Sequence, residues 1–136
     1  MRRYLLDTGP LAALLLARPA LVSLITPWMM QHEAATSILM YAEVTEYLRS
    51  LSNPSQRQRA LRTLLGEVYP YYLTYPMLER YADLRRQMRT PRGPGLIGDI
   101  DTLVAATALE RDLTVVTMDE DYRRVPGLKV LLLPKR

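Results

Sequence analysis

The chain has 136 residues, 49% of them apolar and 24% charged, with no cysteine, one histidine and a formal net charge of +4. That length and composition suit one globular domain, residues 1–136, with its own hydrophobic core. They exclude disulfide frameworks, thiolate chemistry and multi-histidine zinc sites, so any metal must rest on oxygen ligands, which favours magnesium, manganese or calcium.

Residues 3–6 form a short apolar run that ends at Asp7 and reads as a buried strand. Thr8-Gly9-Pro10 reads as a turn, with Pro10 at the first position of a helix over 11–17. A second helix follows over 19–32, disturbed at Pro27. Residues 35–39 have strand length. Residues 40–51 show helical spacing, with Met40, Val44, Tyr47, Leu48 and Leu51 on one side. Asn53-Pro54-Ser55 breaks that helix and opens another, to about residue 67. The tyrosine-rich 69–75 suits a strand, and Pro76 opens a helix to 88. Residues 90–95 are a proline- and glycine-rich loop. An alanine-rich helix over 100–111, a β-branched strand over 114–117, a turn at Pro126-Gly127 and a strand over 129–133 complete the chain.

Strands alternate with helices throughout, which predicts an α/β domain with a central, mostly parallel sheet of four or five strands and helices on both faces. Arg2 and Arg3 before the apolar 11–16 faintly resemble a secretory leader. Asp7, Gly9 and Pro10 interrupt the run, and no small-residue cleavage site follows cleanly. No apolar run reaches membrane-spanning length. A cytoplasmic protein without a membrane partner is the expectation.

Ligand sites in such folds lie beyond the carboxyl ends of the strands, and that singles out certain acids. Asp7 follows the first strand, where it also suits a helix cap. Glu43 stands in the first turn of the helix that follows the second strand, among Met40, Val44 and Tyr47; Glu46 competes with it. Asp99 and Asp101 open the alanine-rich helix, a position the helix dipole favours. Asp101 shares its stripe with Ala105 and Ala108, a face that packs closely. Asp119 follows the 114–117 strand, crowded by Glu120 and Asp121. Carboxylates gathered at one sheet edge repel one another unless a cation neutralises them. With this composition the cation is Mg²⁺ or Mn²⁺, which suits phosphoryl chemistry. Arginine makes up 16 of the 18 basic residues. Its fork geometry fits phosphate, although arginine-rich usage also follows from genome base composition.

Leu5-Leu6-Asp7-Thr8-Gly9-Pro10-Leu11, Ala42-Glu43, the segment Ile97-Gly98-Asp99-Ile100-Asp101-Thr102-Leu103-Val104-Ala105-Ala106, Val115-Val116-Thr117-Met118-Asp119 and Arg124-Val125-Pro126-Gly127-Leu128 resemble the PIN-domain ribonucleases. More narrowly, they resemble the VapC-type toxins of prokaryotic toxin–antitoxin pairs. The resemblance runs from residue 4 to about 131. It implies a three-layer α/β/α fold and endoribonuclease cleavage of single-stranded RNA with Mg²⁺ or Mn²⁺. It assigns the four acids to Asp7, Glu43, Asp101 and Asp119, with Asp99 as an accessory ligand through water and Thr8 and Thr117 as polar support. It also implies a homodimer silenced by a cognate antitoxin. One departure is visible: Tyr122 stands where the family pattern has phenylalanine.

The reaction expected of such a site is in-line attack of water on phosphorus, leaving 5′-phosphate and 3′-hydroxyl ends. Arg89 and Arg92, beside the Gly-Pro-Gly loop, are candidates to guide the RNA. A phosphotransfer receiver would need paired acids after the first strand and a lysine near the last. A haloacid-dehalogenase-like phosphatase would need an aspartate where Gly9 stands. The remaining alternatives are an RNA-processing nuclease that is not a toxin, and a PIN-like binding module without activity.

Overall fold

The computed structural model describes residues 1–135. The chain runs β1 (Tyr4–Leu6), α1 (Thr8–Leu15), α2 (Pro19–Met30), β2 (Ala34–Ser37), α3 (Ile38–Leu48), α4 (Pro54–Leu64), β3 (Tyr69–Tyr71), α5 (Tyr75–Met88), α6 (Asp99–Arg111), β4 (Thr114–Thr117) and β5 (Lys129–Leu132), with a 3₁₀ turn at Glu120–Arg124. The five strands form one parallel sheet in the order β3-β2-β1-β4-β5. This is the three-layer α/β/α arrangement that the alternation predicts.

The topology follows from connection handedness. From β1 to β2 to β3 the chain steps one way across the sheet; from β3 to β4 and β5 it steps back. Right-handed crossovers therefore put α1–α4 on one face and α5–α6 on the other. Contacts respect this division: α1 packs on α2, α3 and α4, while α5 packs on α6. The reversal falls between β1 and β4, whose registers run Leu5 to Val115 and Leu6 to Val116. At such a reversal the flanking connections diverge to opposite faces and open a crevice beyond the carboxyl ends.

The core is apolar where the strands are central. Leu5, Leu6, Val115 and Val116 are fully buried, as are Val104, Ala105, Ala106 and Ala108 of α6. Small residues on α6 let that helix approach the sheet closely. Trp28 of α2 stacks on Tyr4 with ring centroids 3.9 Å apart, which fixes α2 to β1. Among the described residues no single helix is long and apolar enough to cross a membrane.

Three boundaries differ from the sequence-based expectation in ways that touch the candidate site. Thr8-Gly9-Pro10 is the first turn of α1 rather than a turn before it, because Asp7 occupies the cap position. β2 ends at Ser37, whose hydroxyl accepts the Leu39 N–H at 3.1 Å and caps α3. Ile38 and Leu39 are thus helical, and Glu43 stands in the second turn, not the first. β3 is three residues long; Thr74 lies beyond it and caps α5 through the Met77 N–H.

Candidate functional site

Asp7 leaves the central strand at the reversal point and is buried, 8% exposed. A buried carboxylate must be hydrogen-bonded or neutralised, and both its oxygens are engaged. Oδ2 accepts from the Thr117 hydroxyl at 2.7 Å, and Oδ1 from the Tyr122 hydroxyl at 3.2 Å. The Thr8 backbone N–H also bonds it. Burial nevertheless dominates and raises its pKa; Glu43 adds repulsion in the same direction.

Asp101 arrives from the opposite helical layer, in the first turn of α6. Its Oδ1 lies 3.0 Å from the same Tyr122 hydroxyl, whose single proton is shared between the two carboxylates. Burial first, then the charge of Asp7, pushes its carboxyl up to about 6, against the pull of the Tyr122 bond; Asp119 and Glu43 add to the rise. Asp7, Asp119 and Glu43 thus all act on Asp101 with the same, negative sign. The Tyr122 phenol is pushed far above its ordinary range by burial and by the two aspartates, so it remains a neutral donor.

Thr117 joins the two strand ends. Its hydroxyl donates to Asp7 and accepts the Asp119 N–H at 3.0 Å. Asp119 in turn accepts the Asp121 N–H at 2.9 Å and so caps the 3₁₀ turn that carries Tyr122. Glu43 reaches the cluster from α3 and accepts from the Thr8 hydroxyl. Gly9 permits the close approach of this edge: a Cβ there would meet Met118 Sδ at 3.1 Å.

The structure thus brings Asp7, Asp101, Glu43 and Asp119 together, with Thr8 and Thr117 bonded to them. Glu46 is exposed and takes no part. Asp99 is engaged elsewhere: its Oδ1 accepts from Arg85 at 2.8 Å and from Tyr81 at 3.2 Å, which ties it to α5. Tyr122 is the neighbour of both aspartates that the sequence marks only as an altered ring. The offset from Asp119 pointed to an aromatic there, but no sequence signal reveals where its hydroxyl lands.

The donor set fits a hard divalent cation. Mg²⁺ commonly takes one or two carboxylates and keeps several waters, and Asp7 with Asp101 supplies such a pair, repelling and partly desolvated. As placed, no three acids among the described residues stand together so as to hold one ion.

Arg80 pairs with Glu110 and Arg85 with Asp99, so α5 and α6 run antiparallel and the last turn of α5 lies beside the first of α6. There Arg86, Arg89, Thr90, Pro91 and Arg92 line a cleft of about 240 Å³. On the other layer, Thr8, Ala12, Leu16, Arg18, Tyr47 and Met118 line a mainly apolar groove of about 330 Å³ next to the acids.

A family model described as the PIN domain matches residues 4–128. No curated protein matches the chain in sequence. Among solved structures, the chain is similar to VapBC2 from Rickettsia felis bound to a DNA fragment from their promoter. That match has 20% identity and a TM-score of 0.82, covering 96% of this chain and 98% of that one. It is similar to DNA-bound VapBC from Salmonella typhimurium, with 16% identity, a TM-score of 0.82 and coverage of 96% and 98%. It is also similar to a toxin–antitoxin complex from Klebsiella pneumoniae, with 21% identity, a TM-score of 0.71 and coverage of 94% and 95%.

Proposed function

Because the chain belongs to the PIN domain family, we propose that it is a metal-dependent endoribonuclease acting on single-stranded RNA, and that it is the toxin of a toxin–antitoxin pair. One observation carries the nuclease reading: Asp7 and Asp101, from opposite layers of the fold, meet on one hydroxyl, and Asp7, Asp119 and Glu43 all push the Asp101 carboxyl towards its protonated form. A fold without a further role for this cluster would gain stability by removing it.

Asp7 and Asp101 would hold Mg²⁺ or Mn²⁺, with Glu43 and Asp119 completing the surroundings. When bound, the ion supplies Lewis acidity, an activated water and a sink for charge on the phosphoryl oxygens. The chain's own part is positional. Thr117 and Tyr122 fix the carboxylate of Asp7 at both oxygens, and with the Thr8 N–H they leave about one of its four acceptor positions open. Thr8 holds Glu43. Arg89 and Arg92, with Arg86, supply exposed guanidinium groups for phosphates at the same end of the α5–α6 pair.

The apolar groove beside Thr8 and Met118 suits a segment of a cognate antitoxin. The similar structures described as VapBC or toxin–antitoxin complexes support that partner. A homodimer in the cytoplasm is the assembly we infer. Sequencing RNA ends after induced expression tests the whole reading. New 5′-phosphate and 3′-hydroxyl ends and growth arrest are expected from the wild type, and neither from Asp101→Asn. Growth arrest without new RNA ends would reject the nuclease reading. New ends without arrest would leave a nuclease that is not a toxin.

A further inference from the structure

Tyr122 places a hydroxyl 3.0 Å from Asp101 Oδ1 and 3.2 Å from Asp7 Oδ1. These partners lie 21 and 115 residues away in the chain. The ring is fully buried, and the turn that carries it is held independently of the two aspartates. Asp119 caps its start, the Val125 N–H closes on the Tyr122 carbonyl at 3.1 Å, and Arg124 pairs with Asp121 at 3.0 Å. A rigid ring cannot swing its hydroxyl away, so the oxygen's position is set by packing and the carboxylates adjust to it.

Two carboxylates facing each other would rotate apart if nothing stood between them. Asp7 is fixed from its other side by Thr117. Asp101 is held at Oδ1 by the Tyr122 hydroxyl. The hydroxyl therefore decides how Asp101 is turned relative to Asp7. A phenylalanine would keep the packing and remove this control.

We propose that Tyr122 is a positioning residue, whose hydroxyl fixes the carboxylate of Asp101 against that of Asp7 and so presets the oxygen pair for a divalent cation. The proposal rests on the reading that these acids bind such a cation. Hydrogen-bond partners of metal ligands are worth about 10- to 100-fold in affinity.

The test is Mn²⁺ binding to the full chain, by calorimetry and by electron paramagnetic resonance of free Mn²⁺. Wild type, Tyr122→Phe and Tyr122→Leu are compared well below their melting temperatures. Tyr122→Phe is expected to raise Kd about tenfold or more while melting close to the wild type. An unchanged or tighter Kd in Tyr122→Phe, with weaker binding only in Tyr122→Leu, would show that the ring alone matters and would overturn the proposal. Mn²⁺ should also perturb the near-ultraviolet tyrosine absorption of the wild type, a measurement that needs no variant; a silent tyrosine spectrum on saturation would equally overturn it. If the wild type binds no Mn²⁺, the metal reading falls together with this one. If the wild type binds and Tyr122→Phe binds equally, only this one falls.

Discussion

Asp7 is buried among other acids at the end of the central strand, whereas Arg86, Arg89 and Arg92 stand exposed at the end of α5. The acids act on one another, with Asp7, Asp119 and Glu43 all raising the Asp101 carboxyl, and among the described residues no carboxylate pairs with these arginines. Exposed arginines cost the fold little, because water solvates them. Buried acids cost it a great deal unless a cation arrives. On the proposed reading, the contrast is between a surface that would attract a ligand and a site that would need one.

The sharpest way to break this contrast is to remove the charge at its centre. Asp101→Asn should lower RNA cleavage by at least about 100-fold, since even outer partners of a metal ligand are worth up to that much. The variant should remain folded, which circular dichroism would check. Excess chelator should abolish cleavage by the wild type as well, with recovery on adding Mn²⁺ or Mg²⁺; full activity in chelator would sink the metal reading.

A smaller effect concerns stability against pH. The native Asp101 carboxyl, raised from 3.8 to about 6, binds its proton more tightly than the unfolded chain does. Its contribution to stability is therefore present below about pH 4 and lost as pH rises through 6, and the raised Asp7 acts in the same sense. The metal-free protein should melt a few degrees lower at pH 7.5 than at pH 5, Mn²⁺ should recover the stability lost at pH 7.5, and Asp101→Asn should flatten the difference. Melting curves at the two pH values decide.

The smallest effect belongs to the arginines. Replacing Arg89 and Arg92 with glutamine should weaken RNA binding and reduce the slope of log affinity against log salt by about 0.7 for each phosphate no longer neutralised. The rate at which bound RNA is cut should change little. Equal slopes for variant and wild type would remove this cleft from the RNA path.

Much of the fold was legible in the sequence because it depends on short-range pattern. β4 has the bounds its β-branched run predicts, and Asp7 and Asp119 follow strands as expected. The errors have local physical causes. Thr8-Gly9-Pro10 looks like a turn because glycine and proline usually punctuate, yet α1 begins with them. Ile38 and Leu39 extend an apolar run that could continue a strand or start a buried helix, and periodicity cannot separate the two. Thr74 looks like the tail of a β-run until its capping bond is seen. Asp99 and Asp101 are two residues apart, but one points along the α5 contact and the other into the acid cluster. Nothing local distinguishes them except the alanines that follow Asp101. The meeting of Tyr122 with Asp7 spans 115 residues, a separation at which a single sequence carries no signal.

The sheet order has a consequence for the chain's own synthesis. β1 is flanked by β2 and β4, so one side of the strand that ends at Asp7 lacks its neighbour until residues 114–117 have been made. Thr117, Asp119 and Tyr122 all come later than six of the helices. Long-range pairing of this kind closes last, since the intervening loop must be ordered first. A nascent chain on the ribosome therefore has Asp7, Glu43 and Asp101 without the turn that organises them. On the proposed reading, the acids would stay unorganised, and the message being read would be spared, until residues 114–122 have been made.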